Sequence, residues 1–120
     1  MAEPTPLVSV VNQRDIRIVE FIHNKILDES NITDIGTTLK ALIDEPGKPK
    51  LLLDFANVDH LSSAALGMLI NVNTQIKKRD GQLRLTNIKP KIFEVFVITK
   101  LNKLFKIKPT RPEALTSFNE

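Results

Sequence analysis

Apolar residues recur along the chain with two alternating periods, and the changes of period mark out the elements. Leu7 to Val11 is rich in β-branched residues, Asn12-Gln13-Arg14-Asp15 is turn chemistry, and Ile16 to Ile22 is a second β-rich run, so a hairpin is predicted. Around Leu27 to Asn31 the spacing lengthens. Ile35, Leu39, Leu42 and Ile43 follow at i, i+4, i+7 and i+8, the stripe of a helix, with Asn31 or Thr33 as candidate N-caps and Pro46-Gly47 and Pro49 as stops. Lys50 to Phe55 is short and nearly all apolar, the pattern of a central strand covered on both faces. Ala65, Leu66, Leu69, Ile70, Val72 and Ile76 give a helical stripe over Ser63 to Lys78, closed by Asp80-Gly81. Gln82 to Thr86 alternates like a strand. Pro90 suits the first turn of a third helix, whose buried stripe is expected to be Phe93, Phe96, Val97 and Leu101. Phe105 to Lys108 reads as a last strand and Pro112 to Phe118 as a closing helix.

The order β-β-α-β-α-β-α-β, with a final helix, predicts an α/β fold. It implies right-handed crossover helices and a mostly parallel sheet with one antiparallel N-terminal strand. Residues 1–120 read as one domain, with 1–6 as a flexible lead-in. In open sheets of this kind functional groups gather beyond the carboxyl ends of the strands. Two loops qualify, Ile26 to Asn31 and Ala56 to Ser63.

Composition narrows the function. With 120 residues, 42% hydrophobic and 26% charged, the chain has an ordinary globular balance. It contains no Cys, which removes disulfides, thiolate metal sites and Cys nucleophiles. Met1-Ala2-Glu3-Pro4-Thr5-Pro6 lacks the basic and apolar regions of a signal peptide, and no apolar run approaches the roughly 18 residues of a membrane span, so a cytoplasmic location without direct membrane insertion is expected. The net charge of +3 is uneven: residues 1–60 carry six basic and ten acidic side chains, residues 61–120 eleven and four. Lys77-Lys78-Arg79 fits a last helical turn, where cations suit the macrodipole, and without Tyr or Trp there is no stacking platform for nucleic acid.

The chain is poor in catalytic groupings, and it reads as no enzyme. Only His23 and His60 are available, and Asp59, His60, Ser62 and Ser63 are too close in sequence to take up triad geometry. No G-x-G-x-x-G or Walker-type run occurs, so no cofactor is expected. Asp28, Asp54 and Asp59 could meet at the sheet's carboxyl edge, but turn and capping roles are the commoner use of such residues, and no metal is expected.

The segment Val58 to Gly67 delivers two hydroxyls to a helix N-terminus. Ser62 or Ser63 can cap that helix, which stabilises it by about 1 kcal/mol. The same position accommodates a phosphoserine, because free N–H groups and the positive dipole end suit a phosphate of roughly −1.5 to −2 charge. Ala64 and Ala65 keep the first turn small.

The chain resembles the STAS domain family, which includes bacterial anti-sigma factor antagonists and domains of sulfate transporters. Leu51-Leu52-Leu53-Asp54 with Val58 is similar to the family's central strand, and Leu61-Ser62-Ser63-Ala64-Ala65-Leu66-Gly67-Met68-Leu69 to its Asp-Ser-Ser-Gly-Leu-Gly turn and helix. Leu85 to Pro90 and Thr99 to Ile107 resemble later segments, and Leu27-Asp28 the Leu-Asp pair before the first helix.

For an antagonist, the resemblance implies binding to an anti-sigma factor that is itself a serine kinase. It further implies release on phosphorylation of a turn serine and resetting by a phosphatase. By position the acceptor falls on Ser63, with Ser62 as the alternative, and the partner surface on Asp28, Asp59, His60, Ser62, Ser63, Ala64 and Ala65. The other reading is an unphosphorylated STAS subunit of a transport or lipid-trafficking complex. Three residues depart from the family pattern: Ser62 stands at a frequent Asp, Ala65 at a usual Gly, and Lys100 where Gly often ends the third helix. A side chain at Lys100 costs about 1 kcal/mol if that position is left-handed.

Overall fold

The computed structural model describes residues 8–22 and 29–119, so His23, Asp28 and the lead-in 1–6 lie outside the described residues. The predicted order is found. β1 (Val8–Gln13) and β2 (Ile16–Phe21) form the hairpin; α1 (Glu29–Ile43), β3 (Lys50–Asp54), α2 (Ser63–Lys78), β4 (Gln82–Thr86) and α3 (Pro90–Ile98) follow. A single 3₁₀ turn (Leu101–Lys103), β5 (Lys106–Lys108) and α4 (Arg111–Ser117) complete the fold. The five strands lie in the order β1-β2-β3-β4-β5. β1 is antiparallel to β2 and all other pairs are parallel.

Successive residues of a strand face opposite sides of a sheet, and here the two sides have different covers. Val19, Phe21, Leu51, Leu53 and Leu85 pack with Ile35 and Leu39 of α1, Leu69 and Ile76 of α2, and Phe96 of α3. On the opposite side Ile16, Ile18 and Leu52 pack with Ala114 and Phe118 at α4. This two-sided burial explains why β3 is apolar without alternation. At roughly 1.5–3 kcal/mol per fully buried aliphatic or aromatic side chain, this core is the main favourable term in the fold.

Several local expectations are corrected. α1 begins at Glu29, so Asn31 and Thr33 lie inside the helix and cap nothing. β5 begins at Lys106, leaving Phe105 in the core beside Phe96, with ring centroids 5.9 Å apart. At the end of α2 the left-handed residue is Asp80 (φ 57°), with the N–H of Gly81 donating to Ile76 O at 2.9 Å. Gly81 is needed for a different reason: a Cβ there would collide with the carbonyl oxygen of Pro49 and come within 2.9 Å of Ile76. That close approach lets Gln82 N–H reach Pro49 O at 2.8 Å and start the β3–β4 ladder. Lys100 is left-handed (φ 63°), so the departure from Gly carries a conformational cost.

The third helix departs furthest from its predicted packing. Ile92 and Phe96 are its buried residues, whereas Phe93 and Val97, expected in the core, face outward. The short α3 meets the sheet through a narrow stripe, which leaves its second apolar row without cover among the described residues.

Candidate functional site

The carboxyl ends of β2, β3 and β4, all pointing one way, bring the loops after them to a common edge. Asp54, the last residue of β3, is the centre of that edge. Its side chain is 3% exposed. One oxygen accepts from the N–H of Ala56 at 2.9 Å and from Asn87 Nδ2 at 3.2 Å. The other accepts from Arg111 Nε at 3.0 Å, Arg111 Nη2 at 2.6 Å and again Asn87 Nδ2 at 3.2 Å. Arg111 Nη2 also donates to Glu20 Oε2 at 3.0 Å. Asn87 reaches Asp54 from a left-handed backbone (φ 56°), a conformation Asn tolerates better than most residues. Chiefly through the hydrogen bond to Asp54, the guanidinium pKa of Arg111 is raised above its ordinary value, and the side chain is a permanent cation.

Asp54 is therefore a structural node. It ties β3 to the end of β4 and the start of α4, so both of its carboxylate oxygens are engaged within the fold. Among the described residues no group of three or more metal-binding side chains comes together. Asp59 instead forms an ion pair with Lys89, which joins the serine turn to the start of α3. Asn57 Nδ2 donates to Phe21 O at 3.1 Å and to Glu20 Oε1 at 3.3 Å, fastening the same loop to β2. The segment leading to the serines is thus held at both flanks.

At the serines the two alternatives separate. Ser62 is the N-cap of α2: its backbone is extended (φ −79°, ψ 164°) and its Oγ accepts from Ala65 N–H at 3.1 Å. Ser63 is the first helical residue, with its side chain exposed. Leu66 N–H closes the first intrahelical bond onto Ser62 O at 3.1 Å. Backbone N–H groups of a first helical turn point out of the helix end, towards anything attached at Ser63. His60 is exposed, Ala64 half-buried and Ala65 buried against the core. Ala65 therefore packs inward rather than lining the surface.

One turn beyond Ser63, Gly67 is exposed, and a Cβ built there meets nothing within 4 Å. Among the described residues no packing requires this glycine, although a mid-helix glycine costs about 1 kcal/mol relative to Ala. The surface from Ser63 to Gly67 is consequently open to close approach, and Ala64 and Gly67 border a groove against Ile32 and Gly36 of α1.

Serine spacing and the helix start were readable in the sequence, whereas Glu20, Asn57, Asn87, Lys89 and Arg111 were missed. Their only sequence signal is position, since each sits at or just beyond the end of a strand or the start of a helix.

The STAS domain model matches residues 8–114. BtrV of Bordetella bronchiseptica, named as an anti-sigma factor antagonist, is 29% identical over 93 residues, covering 78% of this chain and 79% of BtrV. An anti-sigma-factor antagonist (STAS) domain protein from Planctomyces limnophilus superposes with a TM-score of 0.86 at 22% identity, over 94% of this chain and 98% of that one. The Bacillus cell fate determinant SpoIIAA, solved in its phosphorylated form, shares the fold with a TM-score of 0.70 at 16% identity, over 92% and 97% of the two chains.

Proposed function

The chain belongs to the STAS domain family, and from that premise we propose that it is a phospho-switched, non-catalytic antagonist that binds an anti-sigma factor with serine kinase activity through the turn at Ser63. One observation carries the reading: Ser62 takes the capping duty, so Ser63 stands exposed at the helix start, where modification leaves the cap intact. A phosphate on Ser63 lies at the positive end of α2, and the fold tolerates it. A partner seated over the same turn meets a new, strongly hydrated dianion and is expelled. A phosphatase restores the binding state.

His60, Ser62, Ser63, Ala64 and the open surface over Gly67 make up the contact region in this reading, with Asp59 holding the turn in place through Lys89. Ala65 shapes the turn from inside. Asp28 belongs to the same proposal by its place in the chain. The relationship to BtrV, named as an anti-sigma factor antagonist, supports the antagonist role over that of an unphosphorylated subunit of a transport or lipid-trafficking complex.

The test is incubation with an anti-sigma factor kinase that binds the chain, plus ATP, followed by intact mass and site mapping. One added phosphate on Ser63, absent in Ser63→Ala, is the expected result. Binding without modification at Ser63 or Ser62 favours the unphosphorylated subunit.

A further inference from the structure

The outward face of α3 is apolar where a surface helix is normally polar. Phe93 is 39% exposed, Val97 47% and Ile98 79%. Phe93 and Val97 are spaced i, i+4 and form one ridge; Ile98 lies further round the helix, with Glu94 between them. The inner face already buries Ile92 and Phe96, so this nine-residue helix is apolar nearly all round. A helix of that kind is normally covered on both sides, and contiguous exposed apolar groups mark interaction surfaces.

The rim says what covers it. Lys91 on the helix and Lys100 and Lys103 in the turn that follows it are all exposed, against Glu94 as the one carboxylate of that segment. A second copy would bring one lysine rim against another. An anionic bilayer suits the lysines but would have to bury Glu94 among the apolar groups, at a cost of several kcal/mol for an unpaired charge, whereas a protein can place a donor opposite it. We infer that the outer face of α3 is a docking site for an apolar helical segment of a partner protein flanked by acidic residues, packed on the Phe93–Val97 ridge. The inference does not depend on phosphorylation.

The probe is a designed helical peptide with Leu at i, i+3, i+4 and i+7 flanked by Glu, titrated into the full chain with amide chemical shifts as readout. Saturable shifts confined to Phe93, Val97 and Ile98 and their immediate neighbours on α3 are expected. Affinity should fall at least tenfold in Val97→Asp, and separately in the Lys100→Glu, Lys103→Glu double variant, whose surface changes leave the fold intact by circular dichroism. A Lys-flanked version of the peptide should bind at least tenfold more weakly. Equal binding of the two peptides, or no saturable shift on α3, overturns the inference. So does binding of phosphatidylglycerol vesicles through this face without peptide binding, which assigns it to membrane. Concentration-dependent self-association that shifts the same residues assigns it to a second copy and overturns the inference equally.

Discussion

Arg111 closes over Asp54 from 57 residues away in sequence, with Nε at 3.0 Å and Nη2 at 2.6 Å from one carboxylate oxygen. The contact fixes α4 to the end of the central strand, at the edge where the serine turn begins. Removing one partner of a buried ion pair leaves a charge that water reaches poorly.

Arg111→Ala should therefore destabilise the chain by about 2–3 kcal/mol, below the roughly 3–5 kcal/mol of a fully buried pair because the arginine is partly solvated. Urea unfolding measures it. Asp54→Asn, which keeps the size but loses the charge, should also destabilise. An unchanged midpoint for Arg111→Ala would mean that α4 is held by apolar contacts alone.

The two serines should respond differently to the same substitution. Ser62→Ala removes the Oγ acceptor for Ala65 N–H and should cost about 1 kcal/mol, whereas Ser63→Ala, at an exposed helical position, should be neutral or slightly stabilising. Thermal unfolding of the pair distinguishes them. A larger loss for Ser63→Ala would reverse the roles given to these residues.

Lys100→Gly should stabilise the chain. The backbone there is left-handed (φ 63°), and glycine relieves a cost of about 1 kcal/mol, less the added flexibility of the unfolded chain. A rise in unfolding free energy of about 0.3 kcal/mol or more is expected, and a fall would show that the lysine side chain contributes more than its backbone costs.

Lys50 donates to Asp15 at 2.7 Å, and this hydrogen bond lowers the Asp15 pKa from 3.8. A carboxylate with a depressed folded-state pKa contributes stability that is present above its unfolded value and lost as pH falls through the folded value. The difference in melting temperature between the parent and Asp15→Asn should thus be largest above pH 5, shrink below pH 4 and diminish with added salt, since the site is open to solvent. A difference that is constant with pH would contradict the assignment.

These contacts also show where the sequence was readable. α2 from Ser63 to Lys78 and β4 from Gln82 to Thr86 were legible to the residue, because periodicity, cap chemistry and a stop agreed at both places. Asn31 and Thr33 suggested a cap, yet the helix starts earlier, since cap-type residues are tolerated inside a helix; Thr37, for example, donates back to Thr33 O at 2.9 Å. Phe93 and Val97 read as core because an apolar stripe records that something covers it and does not record what. Arg111 gave no signal beyond its place at a helix start, because its partners Asp54 and Glu20 are adjacent only once β2, β3 and α4 are assembled. The serine turn was found by its chemistry, but which hydroxyl caps followed only from the extended backbone of Ser62.

Charge at Ser63 is expected to remove the partner and spare the fold. The most direct measurement is the affinity of Ser63→Asp and Ser63→Ala for the anti-sigma factor, with melting temperatures recorded for both. Tenfold or greater weakening in Ser63→Asp at an unchanged melting temperature is the predicted result. Equal affinities, or weakening that tracks unfolding, would contradict it.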